Sequence, residues 1–359
     1  MKMALFVHSL VSDWNHGNVH FLRGIVRELQ GRGHSVAVFE PSGGWSMTNL
    51  LRMEGDAPVD EFRRAFPDLS SEPYELDSLD VGEVLEETDV CLVHEWNEPA
   101  LVAAVGEARR RKPRLRVLFH DTHHRTATAP EQMDAFDLSG YDGVLAFGEA
   151  VARRYRARGH RVWVWHEAAD TTVFRPLERA REGDLVWIGN WGDDERTQEL
   201  QTYLLDPART LGLRGSVYGV RYPEEGRRAV AASGLRYRGR IPNHRVPEAF
   251  ARHAAAVHVP RRAYVRSLPG VPTIRVFEAL ACAIPLVCSP WEDSESLFTP
   301  GEDFLVARDC EEMTLHLKRV TSDEGYARSL AARGRRTIEA RHTCAHRVDE
   351  LMAIVGEIT

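Results

Sequence analysis

The sequence predicts an α/β protein built from two doubly wound parallel sheets. Three observations predict it. Its short apolar runs are continuous rather than alternating, as expected of strands buried on both faces. Helical segments separate these runs, through the first half of the chain and again through the second. The length of 359 residues is ample for two cores.

In the first half, strands are expected at Met3–Val7, Ser35–Phe39, Val90–Val93, Arg116–Phe119, Gly143–Phe147 and Arg161–Val164. Helices are expected between them at Val19–Gln30, Pro99–Arg111 and Ala150–Arg158. The stretch from Gly43 to Ser78 is less regular and reads as a surface excursion. In the second half, strands are expected at Asp184–Ile188, Gly215–Tyr218, Leu235–Gly239, Ala255–Val259, Pro285–Cys288 and Asp303–Val306. They alternate with helices near Arg196–Leu211, Glu224–Ala232, Val246–His253, Thr273–Ala281 and Cys310–Val320. Two such sheets give two Rossmann-like domains facing one another, with a hinge near Glu167–Arg181. The segment from Glu324 is helical and Arg-rich, which reads first as a solvated face.

Composition narrows the function. Hydrophobic residues make up 43% and charged residues 28%, ordinary for a globular protein. A net charge of −7 argues against a general nucleic-acid binder. No apolar run approaches the ~20 residues of a membrane span. The chain enters a strand directly at Met3, without a signal-peptide pattern, so a cytoplasmic location is expected. The five cysteines are scattered and carry no CxxC spacing, so they read as reduced core residues and not metal ligands.

The most informative stretch is Ser267–Pro290, a Gly/Pro turn followed by a buried helix and strand. Pro272 suits a helix start and Thr273 a cap. Ile274, Val276, Phe277, Leu280 and Ala281 leave almost no polar face, yet the helix carries Arg275 and Glu278. A carboxylate there needs a partner. One reading is an i,i+3 ion pair; the other is a helix N-terminus aimed at phosphate, with Glu278 held for ligand hydroxyls.

From Arg275 to Val287 the chain resembles the "EAmAcGxPvv" signature of GT-B glycosyltransferases, closest to the family 4-like and spore-maturation (CgeB-like) branch. The resemblance implies that Glu278 binds the donor ribose and that the turn Gly270–Thr273, with Ile274 and Arg275, holds the diphosphate. Family members usually carry another Glu eight positions earlier, where this chain has Gly270. A second match is Glu167–Pro176, similar to the "gvDtxxFxP" element that ends the N-terminal domain. The implied domains are 1–170 on the acceptor side and 171–340 on the donor side. The resemblance also implies that residues 341–359 are a helix crossing back to the first domain.

Other candidates follow strand ends. The loop after the first strand contains Asp13, Asn15, His16, Gly17 and Asn18. It is not a GxGxxG, and in GT-B enzymes it faces the sugar and acceptor. His120-Asp121-Thr122-His123-His124 is the densest titratable cluster; His120 and Asp121 resemble a conserved cleft position of family 4, and His123 carries over less directly. Its spacing does not match a zinc motif. The loop with Asn190 and Arg196 resembles the one whose basic residue reaches donor phosphates, while Arg240 and Ile241 lie where backbone contacts the base. Arg262 and Arg266 add cations beside the turn.

These parts suffice for metal-independent transfer of a sugar from a UDP or GDP sugar to an acceptor hydroxyl, with retention favoured by the resemblance. No DxD suggests a metal, and no cofactor is expected beyond the donor as co-substrate. The acceptor is left open among glycan, lipid, metabolite and nucleic-acid base. Inactive GT-B scaffolds and nucleotide-sugar epimerases are the alternatives.

Overall fold

The computed structural model describes residues 1–192 and 195–358. The strands are β1 Lys2–Phe6, β2 Ser35–Pro41, β3 Glu72–Tyr74, β4 Val90–His94, β5 Arg116–Asp121, β6 Gly143–Ala146 and β7 Val162–Val164. They continue with β8 Gly183–Ile188, β9 Gly215–Tyr218, β10 Leu235–Gly239, β11 His253–His258, β12 Leu286–Cys288 and β13 Leu305–Val306. One sheet has the order β3-β2-β1-β4-β5-β6-β7 and the other β10-β9-β8-β11-β12-β13. Neighbouring strands run parallel in both. This is the doubly wound α/β class that continuous apolar strands predict.

Both sheets reverse their winding at one point, between β1 and β4 in the first and between β8 and β11 in the second. The crevice beyond the carboxyl ends of strands at such a point is where open α/β sheets bind ligands. Register fixes which residues reach that edge. Met3 of β1 pairs with Val36 and Val90, and His94 of β4 lies level with His120 of β5.

The excursion between β2 and β4 is more ordered than its sequence suggests. It holds helices Trp45–Glu54 and Ala57–Ala65 and the edge strand β3. Pro73 hides that strand from sequence reading, because a proline is tolerated only where no ladder hydrogen bond is lost. Phe62 and Phe66 are buried, with the Arg23 guanidinium 4.7 and 5.0 Å from their ring centres. The single helix expected over 196–211 is broken instead: Thr197–Leu200, a π-turn at Gln201–Leu205, then Asp206–Leu211. Pro207 lacks an N–H to donate into a continuous α-ladder, and the wider turn accommodates it.

The chain forms two compact units, Met1–Glu167 with Cys344–Thr359, and Ala168–Thr343. The divisions fall slightly inside 170/171 and beyond 340/341 because Ala169 N–H donates to the His342 carbonyl at 2.9 Å and bridges Thr343. In the first unit, helix Cys344–Glu357 packs against helix Val19–Gly31. Buried Arg347 donates to the His166 carbonyl at 2.9 Å, and Trp165 Nε1 donates to the Arg347 carbonyl at 2.8 Å. In the second unit, Leu185, Trp187, Val217, Val257 and Val287 form the heart of the core. The Asp170 motif there is a turn: Asp170 Oδ1 accepts from Thr172 N and Oγ1 at 3.0 and 2.6 Å, and Phe174 is buried.

Candidate active-site edges of the two sheets

The switch point of the second sheet is spanned by Arg196. Its Nε donates to the Asn190 carbonyl after β8 at 3.1 Å, and its Nη1 donates to the Val259 carbonyl after β11 at 3.1 Å. The guanidinium also lies 5.4 Å from the Trp187 ring centre. Burial lowers its pKa to about 10, so it stays cationic near neutrality. Arg196 therefore stitches the two loops together, and a purely outward reach to phosphate does not describe it. Asn190 is tied in turn, its Oδ1 accepting from Val220 N at 3.1 Å. Asp193 and Asp194 of this loop lie outside the described residues.

Beside β11, helix Ile274–Ala281 begins behind the turn at Gly270. Thr273 occupies the N-cap position but its side chain does not cap; Oγ1 is bonded to His258 Nε2 at 2.8 Å. Burial lowers the His258 pKa to about 3, with Arg196 and Arg275 adding to the effect. Glu278 is fully buried. Asn243 Nδ2 donates to its Oε1 at 3.0 Å, and Arg275 Nη1 pairs with Oε2. The carboxylate expected to face ligand hydroxyls is thus turned to protein partners, as its burial requires.

Gly270 explains its own departure from the family pattern. Its φ is +84°, and a Cβ there would lie 2.7 Å from both Glu295 Cγ and Ser294 Oγ. No glutamate fits this backbone without strain. Of the nearby cations, Arg262 sits on a short helix, Arg262–Ser267, and is spent on Glu199 through contacts of 2.5 and 3.0 Å. Arg266 is exposed on that helix. Arg240 and Ile241 are half-buried after Gly239, whose φ of +77° turns the chain out of β10.

The switch point of the first sheet has a different character. His8, after β1, lies 5.0 Å from His16 and 5.5 Å from Trp96, centre to centre. Burial, aided by Arg125, lowers the His8 pKa to about 4. His16 is buried, its Nε2 3.2 Å from the Ser9 carbonyl, and burial holds its pKa well below the usual range. At the end of β4, buried His94 has Nε2 2.9 Å from Thr122 Oγ1 and Nδ1 3.0 Å from Glu95 Oε2. Desolvation pushes the Glu95 carboxyl well up, with Asp121 adding to it, and pushes His94 well down. The His94 imidazole is therefore neutral at pH 7.

His120 packs against Trp165 at 4.8 Å and His94 at 5.3 Å, and burial lowers its pKa to about 3. Asp121 is buried and accepts from His123 N at 3.1 Å, from Tyr155 OH at 2.8 Å and from Thr126 Oγ1. Three donors hold it inside the turn, so it organises His123 and is not presented as a base. Half-buried His123 lies 4.8 Å from Trp96. In the first loop, Asn18 opens the helix without capping it and bonds Glu167 through Nδ2. Asp13 and Asn15 are half-buried, Asn15 with a φ of 49°, and Gly17 is exposed. Sequence reading missed His94, Glu95 and Trp96; their one visible signal is their place immediately after a continuous apolar strand.

Residues 196–353 match a family model described as glycosyl transferase-like. The whole chain superposes on solved glycosyltransferases. One is from Rickettsia africae ESF-5, at 12% identity and TM-score 0.68, covering 99% of this chain and 98% of that one. An alpha-glucosyltransferase in complex with UDP-glucose and DNA containing an abasic site gives 10% identity and TM-score 0.72, covering 99% of each. Sucrose-phosphate synthase from Thermosynechococcus elongatus gives 15% identity and TM-score 0.66, covering 100% of each.

The chain has the GT-B fold of these glycosyltransferases.

A comparison with curated protein sequences finds no match. The family match begins at Arg196 and takes in Asn243, His258, Thr273, Arg275 and Glu278, the groups gathered beside β11.

Proposed function

We propose that the protein transfers a sugar from a uridine or guanosine diphosphate sugar to an acceptor hydroxyl. The second unit takes the donor and the first unit the acceptor. The observation that carries this reading is the bonding of Arg196 across the β8/β11 switch point, within the segment that matches the transferase family model. A departing diphosphate needs positive charge and N–H groups in a site of low polarity. Arg196, Arg275, Arg266 and the first amides of helix Ile274–Ala281 supply these without calling on a metal. Glu278 sets the Arg275 fork and the Asn243 amide, and the ribose hydroxyls compete for the same groups.

The states of His8, His120 and Asp121 support retention of configuration. With pKa values of about 4 and 3, His8 and His120 are weak bases at neutral pH. Asp121 is occupied by three donors. A leaving phosphate oxygen is therefore the better acceptor for the hydroxyl proton. The test is a thermal-stability screen of sugar nucleotides, followed by product analysis with the donor that binds. Binding at a hundred times the dissociation constant adds about 2.7 kcal/mol. Glu278→Ala weakens that donor's affinity by about 1–3 kcal/mol through lost hydrogen bonds. If no sugar nucleotide stabilises the protein, the reading falls.

A further inference from the structure

Two tryptophans stand exposed at the carboxyl edge of the first sheet, Trp45 at 49% and Trp96 at 38%. Trp45 begins the helix after β2, and Trp96 follows β4. Because β2 and β4 are the two neighbours of β1, the tryptophans flank His8, which follows β1. Gly44, just before Trp45, lies against the His8 carbonyl, where a Cβ would sit 3.6 Å away. Two strand spacings separate the chains that carry the rings, on the order of 10 Å.

Both rings are braced from within. Trp45 meets Trp14 edge-on at 4.9 Å, and Trp14 is itself buried with Nε1 3.1 Å from Met53 Sδ. Trp96 carries the Arg125 guanidinium 4.1 Å from its ring centre and meets His123 edge-on at 4.8 Å. A held aromatic ring binds at little entropic cost, because few of its torsions remain to be frozen. Leaving such rings in water forfeits burial that a folded chain ordinarily takes. Singly scattered apolar side chains carry no message, but two braced tryptophans on either side of one switch point do.

The charge of this edge selects the occupant. His8, His16, His94 and His120 all have lowered pKa values, so these imidazoles are neutral near pH 7, and burial pushes the Glu95 carboxyl up. Arg125 is already stacked on Trp96 and donates to the Glu95 carbonyl at 2.7 Å. Binding a phosphate backbone rests on Lys and Arg that neutralise phosphates. This edge offers exposed aromatic faces beside the half-buried, neutral His8 imidazole instead, the chemistry of a ring that is apolar on its C–H face and rimmed with hydroxyls.

We infer that Trp45 and Trp96 form a stacking surface for the acceptor, and that the acceptor is a neutral carbohydrate of at least two sugar rings. The inference rests on the transferase reading and names the acceptor class for it. The full-length protein is titrated by calorimetry and saturation-transfer NMR with maltose, cellobiose, chitobiose and their longer homologues. A short single-stranded oligonucleotide and anionic phospholipid vesicles are titrated in parallel, and UDP and GDP separately.

At least one oligosaccharide binds. Trp96→Ala weakens it about tenfold, Trp96→Phe restores most of the loss, and Trp45→Ala weakens the longer homologues more than the disaccharide. Circular dichroism and UDP affinity are unchanged in all three variants. The inference is overturned if no oligosaccharide binds, if the alanine variants bind as the wild type does, or if the oligonucleotide or vesicles bind in their place. A wild type that binds oligosaccharide but no nucleotide sinks the transferase reading and leaves the stacking surface standing.

Discussion

The carboxyl edges of the two sheets have the same topology and opposite chemistry. The second gathers Arg196, Arg275 and Glu278, where charge is kept and paired. The first gathers His8, His94, Glu95 and His120, where burial disfavours charge, and sets exposed tryptophans around them. The comparison teaches that a doubly wound sheet supplies the location of a site and nothing of its nature. Polarity comes from the handful of residues that follow each strand. A charged edge suits a diphosphate, whereas a neutral aromatic edge suits an uncharged acceptor.

The largest way to break this comparison is to remove charge from the second edge. Arg275→Met removes the cation that pairs with the buried Glu278 carboxylate, to which Asn243 also donates. The expected cost is about 3 kcal/mol in urea denaturation, because a buried carboxylate loses its cationic partner. The double variant Arg275→Met with Glu278→Leu recovers most of it. Equal stability of wild type and Arg275→Met would mean that the pair is an incidental surface contact.

A smaller effect sharpens the account of the turn. Gly270→Ala puts a Cβ on a left-handed residue, 2.7 Å from Glu295 and Ser294. The expected loss is about 1–2 kcal/mol, read as a fall in melting temperature. No loss would show that the turn can rearrange and that this position tolerates a side chain.

The smallest effect concerns the neutral edge. His8 titrates near 4 in the folded protein and near its ordinary 6.5 when unfolded. Between those values the unfolded chain binds the extra proton, so stability falls as pH drops from about 6.5 to about 4. Glu95 and Asp121, raised by burial, act in the opposite sense, their contribution present at low pH and lost as pH rises through their folded values. His8→Asn flattens the slope of unfolding free energy against pH in that window by at most about 1.4 kcal/mol per pH unit. An unchanged slope would mean that His8 is solvated and that the first edge is less neutral than its burial implies.

Twelve strands could be read from the chain because most are short apolar runs, and among the described residues the structure adds β3, concealed by Pro73. The helices of the excursion were hidden for a related reason: Trp45, Leu51 and Met53 are apolar yet exposed, which spoils the periodicity that marks a helix. At the second edge, Arg275 and Glu278 stood out because charge on an apolar helix is costly. At the first edge, Glu95 and Trp96 did not stand out, since one Glu and one Trp after a strand are ordinary in sequence.

Hydrophobic pattern alone determined the two sheets, their parallel strands and the strand ends after which polar residues gather, because burial on both faces leaves its mark on consecutive residues. Only the tertiary structure decided the partners. It turned Glu278 to Asn243, drew Arg196 to Val259, and set His94 beside Glu95 and Thr122. Most of these contacts join residues dozens of positions apart in the chain, and the charge of a buried group is settled by the neighbours that register and packing bring to it.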